Sequence, residues 1–395
     1  MMTDLGIFFG SRTAEHDVSV ISGLQALENA DKSKYNAFPV YISRAGEWFT
    51  GEPLKHIETY RDFDPNLKGL TRVFLPAVPN MNGLYTLESG GLFKRNAKVC
   101  NLDCALLALH GLHGEDGSIQ GLFELANLPY TSCGLIGSAV GMDKIVMKEV
   151  FRSMGLNVLE SVHCCRSEWQ RDREAVLRRA QSLSYPLIVK PCNLGSSIGI
   201  TKAKNETELI AAIDVAAGFD RRILIERALH RPTEINCACV GYGGEATVSL
   251  CEQPLSWELF MGSDDDMLDF NKKYLQKGGK GMESLSRRIP APIGDELTEK
   301  VQAWTKQIFS LLECKGVVRI DYMLDAEGEL YVNEINTIPG SLAFYLFEPM
   351  GLKFSQLVDK LVEYAYKALA QKNESTYAYN SDILKKSLRG AKHKK

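Results

Sequence analysis

Short apolar runs alternate with helical stripes along the first part of the chain. Residues 5–9 form an apolar run that ends at Gly10, and residues 18–30 repeat apolar side chains at helical spacing. A second apolar run, 37–42, contains Pro39, which suits an edge strand better than a central one. This order of strand, glycine loop, helix and strand predicts a βαβ unit and a parallel sheet.

The rest of the chain divides into an insertion, two further units and a tail. Residues 51–98 are rich in Gly, Pro and Asn, with strand candidates at 72–75 and 83–87, and are predicted to be an insertion. One helix is predicted over 138–154, with Ser138 as its N-cap. The predicted domains are 1–134, 135–224 and 225–371, followed by a basic tail, 372–395. We expect this tail to be disordered because it has little apolar content.

Composition excludes several classes of protein. Of 395 residues, 45% are apolar and 24% are charged, which rules out a disordered chain, a collagen and a disulfide mini-protein. A net charge of −3 gives no overall attraction for nucleic acid or for a membrane surface. The ten cysteines lack zinc spacing, so we expect reduced, mostly buried thiols. Neither a signal peptide nor an apolar run of the roughly 20 residues that span a bilayer occurs, which points to the cytoplasm.

Acidic and amide side chains on two neighbouring strands form the strongest chemical feature. Alternation places Arg319 and Asp321 on one face of their strand, and Glu334 and Asn336 on one face of the next. A hairpin would bring these groups together, and such hard oxygen donors suit Mg²⁺ bound with nucleotide phosphates. The alternative is a solvated strand face with a cross-strand ion pair. The apolar neighbours of Glu334 favour the metal site, because unpaired polar groups are costly there.

Two further segments carry chemistry of lower specificity. Lys190 ends an apolar strand and precedes a Gly/Ser loop, 195–199, whose backbone N–H groups can wrap phosphate oxygens. The spacing matches neither the Walker pattern nor a dinucleotide fingerprint, and a plain turn is the alternative. Glu15 and His110 both follow apolar strands, where ligands gather in open α/β sheets. Their alternatives are an acidic helix cap and a buried core histidine.

Taken together, these segments resemble the D-alanine–D-alanine ligases of the ATP-grasp superfamily. The matching motifs are 13–19 (TAEHDVS), 109–121 (LHGLHGEDGSIQG), 141–144 (GMDK), 189–199 (VKPCNLGSSIG), 319–321 (RID) and 334–340 (EINTIPG). The resemblance covers nearly the whole chain. It implies a three-domain α/β (α+β) fold with an N-terminal Rossmann-like domain. It also implies ATP-dependent joining of two D-alanines through an acyl phosphate, for peptidoglycan synthesis.

The resemblance also assigns roles to individual residues of this chain. The catalytic residues it implies are Glu15, Ser196, Tyr274, Arg319 and Gly340. The ATP-binding residues it implies are Lys144, Lys190, Ser196, Ser197, Glu226, Glu234 and Lys273. The substrate-binding residues it implies are Glu15 and His110. Ser341 and Tyr345 lie where the chain departs from the family, and either hydroxyl could donate a hydrogen bond to the carboxylate of the second substrate. The metal ligands it implies are Asp321, Glu334 and Asn336, which would hold two Mg²⁺ ions, with Mn²⁺ as an alternative.

Two regions bear on the second substrate. By resemblance, residues 262–281 form a lid in which Tyr274 would bond to Ser196 and Glu15, and a tyrosine there favours an amine as the second nucleophile. The chain departs from the family at 341–348, where the residues are bulkier than usual. Alternatives are therefore a related ligase with another second amino acid, such as D-serine, and a catalytically silent nucleotide-binding regulator. The chain lacks the glycine fingerprint of a nicotinamide oxidoreductase, which argues against that class of enzyme. The resemblance implies a homodimer with small-molecule substrates.

Overall fold

The computed structural model describes residues 2–86, 97–255 and 287–377 of the chain. The strands are β1 (Thr3–Gly10), β2 (Tyr35–Ile42), β3 (Trp48–Thr50), β4 (Thr71–Phe74), β5 (Gly83–Thr86), β6 (Lys98–Asn101), β7 (Cys104–Leu107), β8 (Ser161–Cys165), β9 (Leu187–Pro191), β10 (Thr201–Ala203), β11 (Arg222–Arg227), β12 (Thr233–Tyr242), β13 (Glu245–Pro254), β14 (Arg287–Arg288), β15 (Gly316–Leu324) and β16 (Leu330–Asn336). The helices are α1 (His16–Asn29), α2 (Ser118–Ala126), α3 (Leu135–Met142), α4 (Lys144–Ser153), α5 (Arg166–Arg171), α6 (Arg173–Ala180), α7 (Glu206–Phe219), α8 (Asp295–Leu311), α9 (Phe344–Phe347) and α10 (Phe354–Asn373).

The first sheet confirms the predicted α/β class. Its strand order is β6-β5-β4-β3-β2-β1-β7, and β1 runs parallel to both β2 and β7. Strands β4 and β5, which lie within 51–98, continue the same sheet in antiparallel pairing, so this insertion is an extension of the sheet. The loops after β1 and β7 therefore leave the sheet side by side.

Strand β2 is internal, not an edge, although it contains Pro39. The antiparallel ladder to β3 pairs only Tyr41 and Ile42 of β2. Pro39 lies outside that ladder, so its missing N–H removes no bond from it. The Pro39 carbonyl accepts a hydrogen bond from the Thr50 hydroxyl of β3, so the backbone of Pro39 faces this short ladder and not β1. The prediction of an edge strand was therefore wrong, because the missing N–H lies on the side where β2 has few ladder bonds.

The second sheet (β10-β9-β11-β8) and the third (β14-β13-β12-β15-β16) follow in chain order. The boundary predicted between 224 and 225 falls inside β11, which pairs with β8 and β9 across its length. The division into domains otherwise stays a prediction. Met147 and Phe151 of α4 pack in the same core as Ile320 and Ile335 of the third sheet, although α4 precedes the second sheet in the chain. Periodicity shows that a helix has an apolar stripe, but not which sheet the stripe covers.

Two predicted element ends also differ from the structure. The helix predicted over 138–154 is two helices, because the Asp143 side chain accepts hydrogen bonds from the N–H groups of Ile145 and Val146 and caps α4. The first of them begins at Leu135, so the prediction of Ser138 as the N-cap was wrong. The last helix, α10, continues to Asn373 and so includes the first two residues of the predicted tail. Residues 378–395 lie outside the described residues. Among the described helices, none combines the length and the apolar character that a membrane span requires.

Candidate active site

The β15–β16 hairpin brings together the four polar residues predicted to meet there. Across the hairpin Arg319 pairs with Asn336, and Asp321 pairs with Glu334. Arg319 donates twice to Asp321, Nε to Oδ1 at 2.6 Å and Nη2 to Oδ2 at 2.7 Å, and Asn336 Nδ2 donates to the same Oδ2 at 3.0 Å. Burial opposes the charge of Arg319, but the attraction of Asp321 prevails and raises the pKa of Arg319 well above its ordinary value.

Lys144 joins this hairpin to the Gly/Ser loop. Its Nζ lies 3.1 Å from Glu334 Oε2 and donates to the Leu194 carbonyl at 2.8 Å. Burial disfavours its charge, but Glu334 raises the pKa of Lys144 above its usual value, so the lysine is a buried cation. The cap at Asp143 starts α4 at this residue, which directs its side chain toward β16.

Two further lysines enclose Glu226. Lys190 and Lys148 both contact the Glu226 carboxylate, and Lys148 Nζ lies 2.9 Å from Oε2 without hydrogen-bond alignment. Lys190 also donates to Asn333 Oδ1 at 3.3 Å. Burial acts against ionisation of Glu226, but the two lysines lower its pKa to about 2. Sequence reasoning missed Lys148, which lies four residues after Lys144 on the same face of α4.

The Gly/Ser loop turns toward the start of α1. Ser196 and Ser197 have left-handed backbone, φ 53° and 60°, and the Ser196 hydroxyl donates to Glu15 Oε1. A Cβ on Gly195 would lie 2.7 Å from Glu15 Oε2, so a larger residue there would displace the Glu15 carboxylate. Glu234 lies on β12 opposite Met323. The predicted lid, with Lys273 and Tyr274, lies outside the described residues.

His110 is buried, and both of its ring nitrogens have protein partners. Nδ1 donates to the Ile338 carbonyl at 2.8 Å, and Nε2 accepts from Ser22 Oγ at 2.8 Å, while the Ser341 N–H donates to Ser22 Oγ at 3.0 Å. Burial, with Arg319 adding to it, lowers the pKa of His110 to about 4, so the ring is neutral. This arrangement ties β7 to the loop that carries Gly340. The predicted contact of His110 with a substrate carboxylate stays a prediction.

Glu115, which sequence reasoning did not single out, holds the same loop. Its Oε1 accepts from the Ile338 N–H and its Oε2 from the Gly111 N–H, both at 2.8 Å. Burial and the nearby Glu15 raise the pKa of Glu115 to about 8, against the effect of the two N–H donors. The signal in the sequence was its place inside the 109–121 motif. His110 and Glu115 thus fix both backbone polar groups of Ile338.

The segment after Gly340 has an unusual backbone. Ser341, Leu342 and Ala343 are three consecutive left-handed residues, with φ of 52°, 52° and 51°. Non-glycine residues adopt this conformation at a cost of roughly 1–2 kcal/mol each. The turn is stabilised by burial and by a bond from the Leu342 N–H to the Pro339 carbonyl at 2.8 Å. We call residues 341–343 the left-handed turn.

The apolar run after this turn divides between the core and the site. Phe344 stacks on Phe354 with ring centroids 4.5 Å apart, and Leu346 and Phe347 are fully buried beside α10. Tyr345 instead directs its hydroxyl to Glu252, 3.2 Å away. Phe344, Leu346 and Phe347 therefore pack under the last helix, whereas the hydroxyl of Tyr345 faces polar side chains.

The three-sheet α/β fold, with buried lysines, an acidic hairpin and a Gly/Ser loop converging, defines a ligase of the ATP-grasp class. Residues 4–133 match the family model described as D-ala D-ala ligase N-terminus, and residues 150–363 match D-ala D-ala ligase C-terminus. The chain belongs to the D-alanine–D-alanine ligase family.

Individual relatives agree with this assignment. The chain is 35% identical to the D-alanine–D-alanine ligase of Thermosipho africanus, over 97% of this chain and 98% of that one. It is 36% identical to the D-alanine–D-alanine ligase of Thermosipho melanesiensis, over 97% of this chain and 99% of that one. Among solved structures it is similar to the VanG D-Ala:D-Ser ligase of Enterococcus faecalis, with a TM-score of 0.76, 30% identity and coverage of 92% and 100%. It is also similar to the D-alanine–D-alanine ligase of Coxiella burnetii, with a TM-score of 0.76, 25% identity and coverage of 94% of this chain and 96% of that one.

Proposed function

We propose that this chain joins two D-alanines into D-alanyl-D-alanine with cleavage of ATP to ADP and phosphate. The observation that carries the proposal is the convergence of Lys144 on the β15–β16 hairpin, beside Asp321 and Glu334, in a chain that matches the ligase family over nearly its full length. The intact set of charged residues argues against a silent regulator.

The reaction has two steps, and the site offers groups for both. The carboxylate of the first D-alanine attacks the γ-phosphate of ATP, which gives an acyl phosphate and ADP. The amine of the second D-alanine then attacks the acyl carbon, phosphate leaves, and the nitrogen loses a proton. Lys144 and Lys190, with the backbone of the Gly/Ser loop, would hold the phosphates, because lysines supply compact positive charge. Glu226 and Glu234 would bind the nucleoside.

Substrate orientation and charge stabilisation fall to the other face of the site. Glu15 would bind the ammonium of the first D-alanine. Arg319 and the Gly340 N–H would stabilise the oxyanion of the tetrahedral intermediate, as fixed donors do in acyl transfer. The clamp of His110 and Glu115 on Ile338 keeps that N–H in place.

The hairpin residues fit a divalent cation. Asp321, Glu334 and Asn336 offer two carboxylates and an amide oxygen on adjacent strand positions, the hard oxygen donors that Mg²⁺ takes. Asp321 lies opposite Glu334 in the register of the two strands, and the Asn336 amide contacts the Asp321 carboxylate, which supports a shared site. We propose two Mg²⁺ ions, with Mn²⁺ as an alternative. Bound there, they would neutralise charge on the transferring phosphoryl group.

The test is an assay of phosphate release from ATP with D-alanine, with the product identified by mass spectrometry. We expect phosphate release that depends on D-alanine and a product with the mass of D-alanyl-D-alanine. Phosphate release without dipeptide, or no dependence on D-alanine, would contradict the proposal. D-serine as the second substrate is a second candidate, supported by the likeness to the D-Ala:D-Ser ligase. Equimolar D-alanine and D-serine in one reaction decide between them.

We also propose that the protein acts in the cytoplasm, in peptidoglycan synthesis, as a homodimer. All ten cysteines are free thiols and eight of them are buried, as expected in a reducing compartment. Leu125, Leu135 and Ile136 are exposed apolar side chains on the neighbouring helices α2 and α3, which supports a contact between copies. Light scattering in solution gives the mass, and a monomer at assay concentrations would contradict the dimer.

A further inference from the structure

A polar cluster lies beside Arg319, and neither step of the proposed reaction uses it. It consists of Glu252 on β13, Arg287 on β14 and Tyr345 on α9, and we call it the Glu252 cluster. Tyr345 donates to Glu252 Oε1 at 3.2 Å, and Arg287 Nη1 lies 3.1 Å from Oε2. Asn236 Nδ2 also donates to Oε1, at 3.1 Å. Glu252 is only 2% exposed, and both of its oxygens have partners.

The cluster is continuous with the reaction centre. Arg319 faces both Tyr345 and Glu252, and the Arg287 guanidinium lies 3.9 Å above the Tyr345 ring centroid. Burial and Glu252 together raise the pKa of Tyr345, so this residue presents a neutral phenol between two cations. The left-handed turn sets this position, since it joins Gly340 directly to the helix that carries Tyr345.

The second substrate needs a cation in this region. Its amine must reach an acyl carbon held near Arg319 and Gly340, and its carboxylate is attached only one carbon away from that amine. Arg319 is already bound in bidentate fashion by Asp321. A guanidinium has five N–H donors, so it can bind one carboxylate while it is oriented by another. Arg287 is held in this way by Glu252 and by the face of Tyr345.

We propose that Arg287 binds the carboxylate of the second amino acid, with Glu252 and Tyr345 as the residues that position it. The inference rests on the proposed ligase function and names the group that selects a carboxylate-bearing acceptor. Tyr345 thus acts through the Glu252 cluster. It does not itself donate a hydrogen bond to the substrate carboxylate, which is the role considered from the sequence.

The test compares two acceptors for the same acyl phosphate. Hydroxylamine attacks the acyl carbon through nitrogen, phosphate leaves, and the nitrogen loses a proton, which gives a hydroxamate. It carries no carboxylate, so it does not need Arg287. For Arg287→Ala at low D-alanine and saturating ATP, we expect hydroxamate formation within about twofold of wild type. Dipeptide formation should fall roughly 10- to 100-fold through the KM for the second amino acid, as expected for a lost charge-assisted bond.

Matched variants separate recognition from structure. Arg288 is the exposed neighbour on the same short strand and points the other way, so Arg288→Ala should match wild type in both reactions. Arg287→Lys should restore part of the dipeptide rate. Tyr345→Phe removes only a hydroxyl, and it serves if Arg287→Ala does not fold. We expect it to raise the acceptor KM several-fold and to leave hydroxamate formation unchanged.

The outcomes distinguish this inference from the proposed function. If wild type forms neither hydroxamate nor dipeptide, the proposed function fails. If wild type forms both and Arg287→Ala loses both to the same extent, Arg287 has a structural role and the inference is overturned. An unchanged acceptor KM in Arg287→Ala, or in Tyr345→Phe where Arg287→Ala does not fold, overturns it equally.

Discussion

Ser22 is the residue whose removal tests the left-handed turn most directly. Its hydroxyl is 1% exposed and bridges His110 Nε2 and the Ser341 N–H, so Ser22→Ala leaves two buried polar groups without this partner. Each such group costs about 1–3 kcal/mol, which predicts a loss of about 2–6 kcal/mol in the free energy of unfolding. The strain of three left-handed residues favours relaxation of the turn once the tether is lost.

Relaxation would displace the neighbouring Gly340, which presents the proposed oxyanion donor. Because removal of one such donor costs about 10²–10³ in kcat, we expect a fall of at least about tenfold in kcat with little change in the KM for ATP. Urea unfolding and steady-state phosphate release measure the two effects. Ser138→Ala is the control, since Ser138 is 0% exposed and its hydroxyl makes a single long bond of 3.3 Å to Cys133. Equal stability of the two variants, with wild-type kcat in Ser22→Ala, would refute the reasoning.

Three further predictions concern charged and titratable groups. Glu334→Gln should abolish phosphate release while circular dichroism shows an intact fold, since an amide lacks the charge that a cation needs; activity within about threefold of wild type would contradict the metal site. Lys148→Met should lower the free energy of unfolding by about 3 kcal/mol and raise the pKa of Glu226, because Lys190 alone then faces the buried carboxylate. The variant should therefore unfold in acid at a higher pH than wild type, and an unchanged pH of acid unfolding would count against this. Folding lowers the pKa of His110 from 6.5 to about 4, so between these pH values the unfolded chain binds a proton that the folded chain does not. The free energy of unfolding should therefore fall as the pH drops from 6.5 to 4, and it should fall less steeply in His110→Asn. An equal slope for wild type and variant in urea titrations would exclude His110 as the source.

The sequence was sufficient for the features that depend on local pattern. The alternation around Arg319 and Glu334 predicted two strands with their polar faces together, and the register of β15 and β16 shows that pairing. The strand and helix order predicted the parallel part of the first sheet. The motifs of the resemblance led to the family that the comparisons show. These features follow from periods of two and 3.6 residues, or from contiguous segments, which a linear chain displays directly.

Only the tertiary structure brought together groups that are far apart in the chain. Glu115 and Ile338 are 223 residues apart, and Tyr345 and Glu252 are 93 apart, so no periodicity links them. Tertiary packing also determines that α4 covers the third sheet and that residues 341–343 adopt a left-handed backbone. Side chains such as Arg287 and Lys148 look like ordinary surface charges in the sequence. Their burial against a specific carboxylate, which makes each of them consequential, exists only once the sheets and helices have packed.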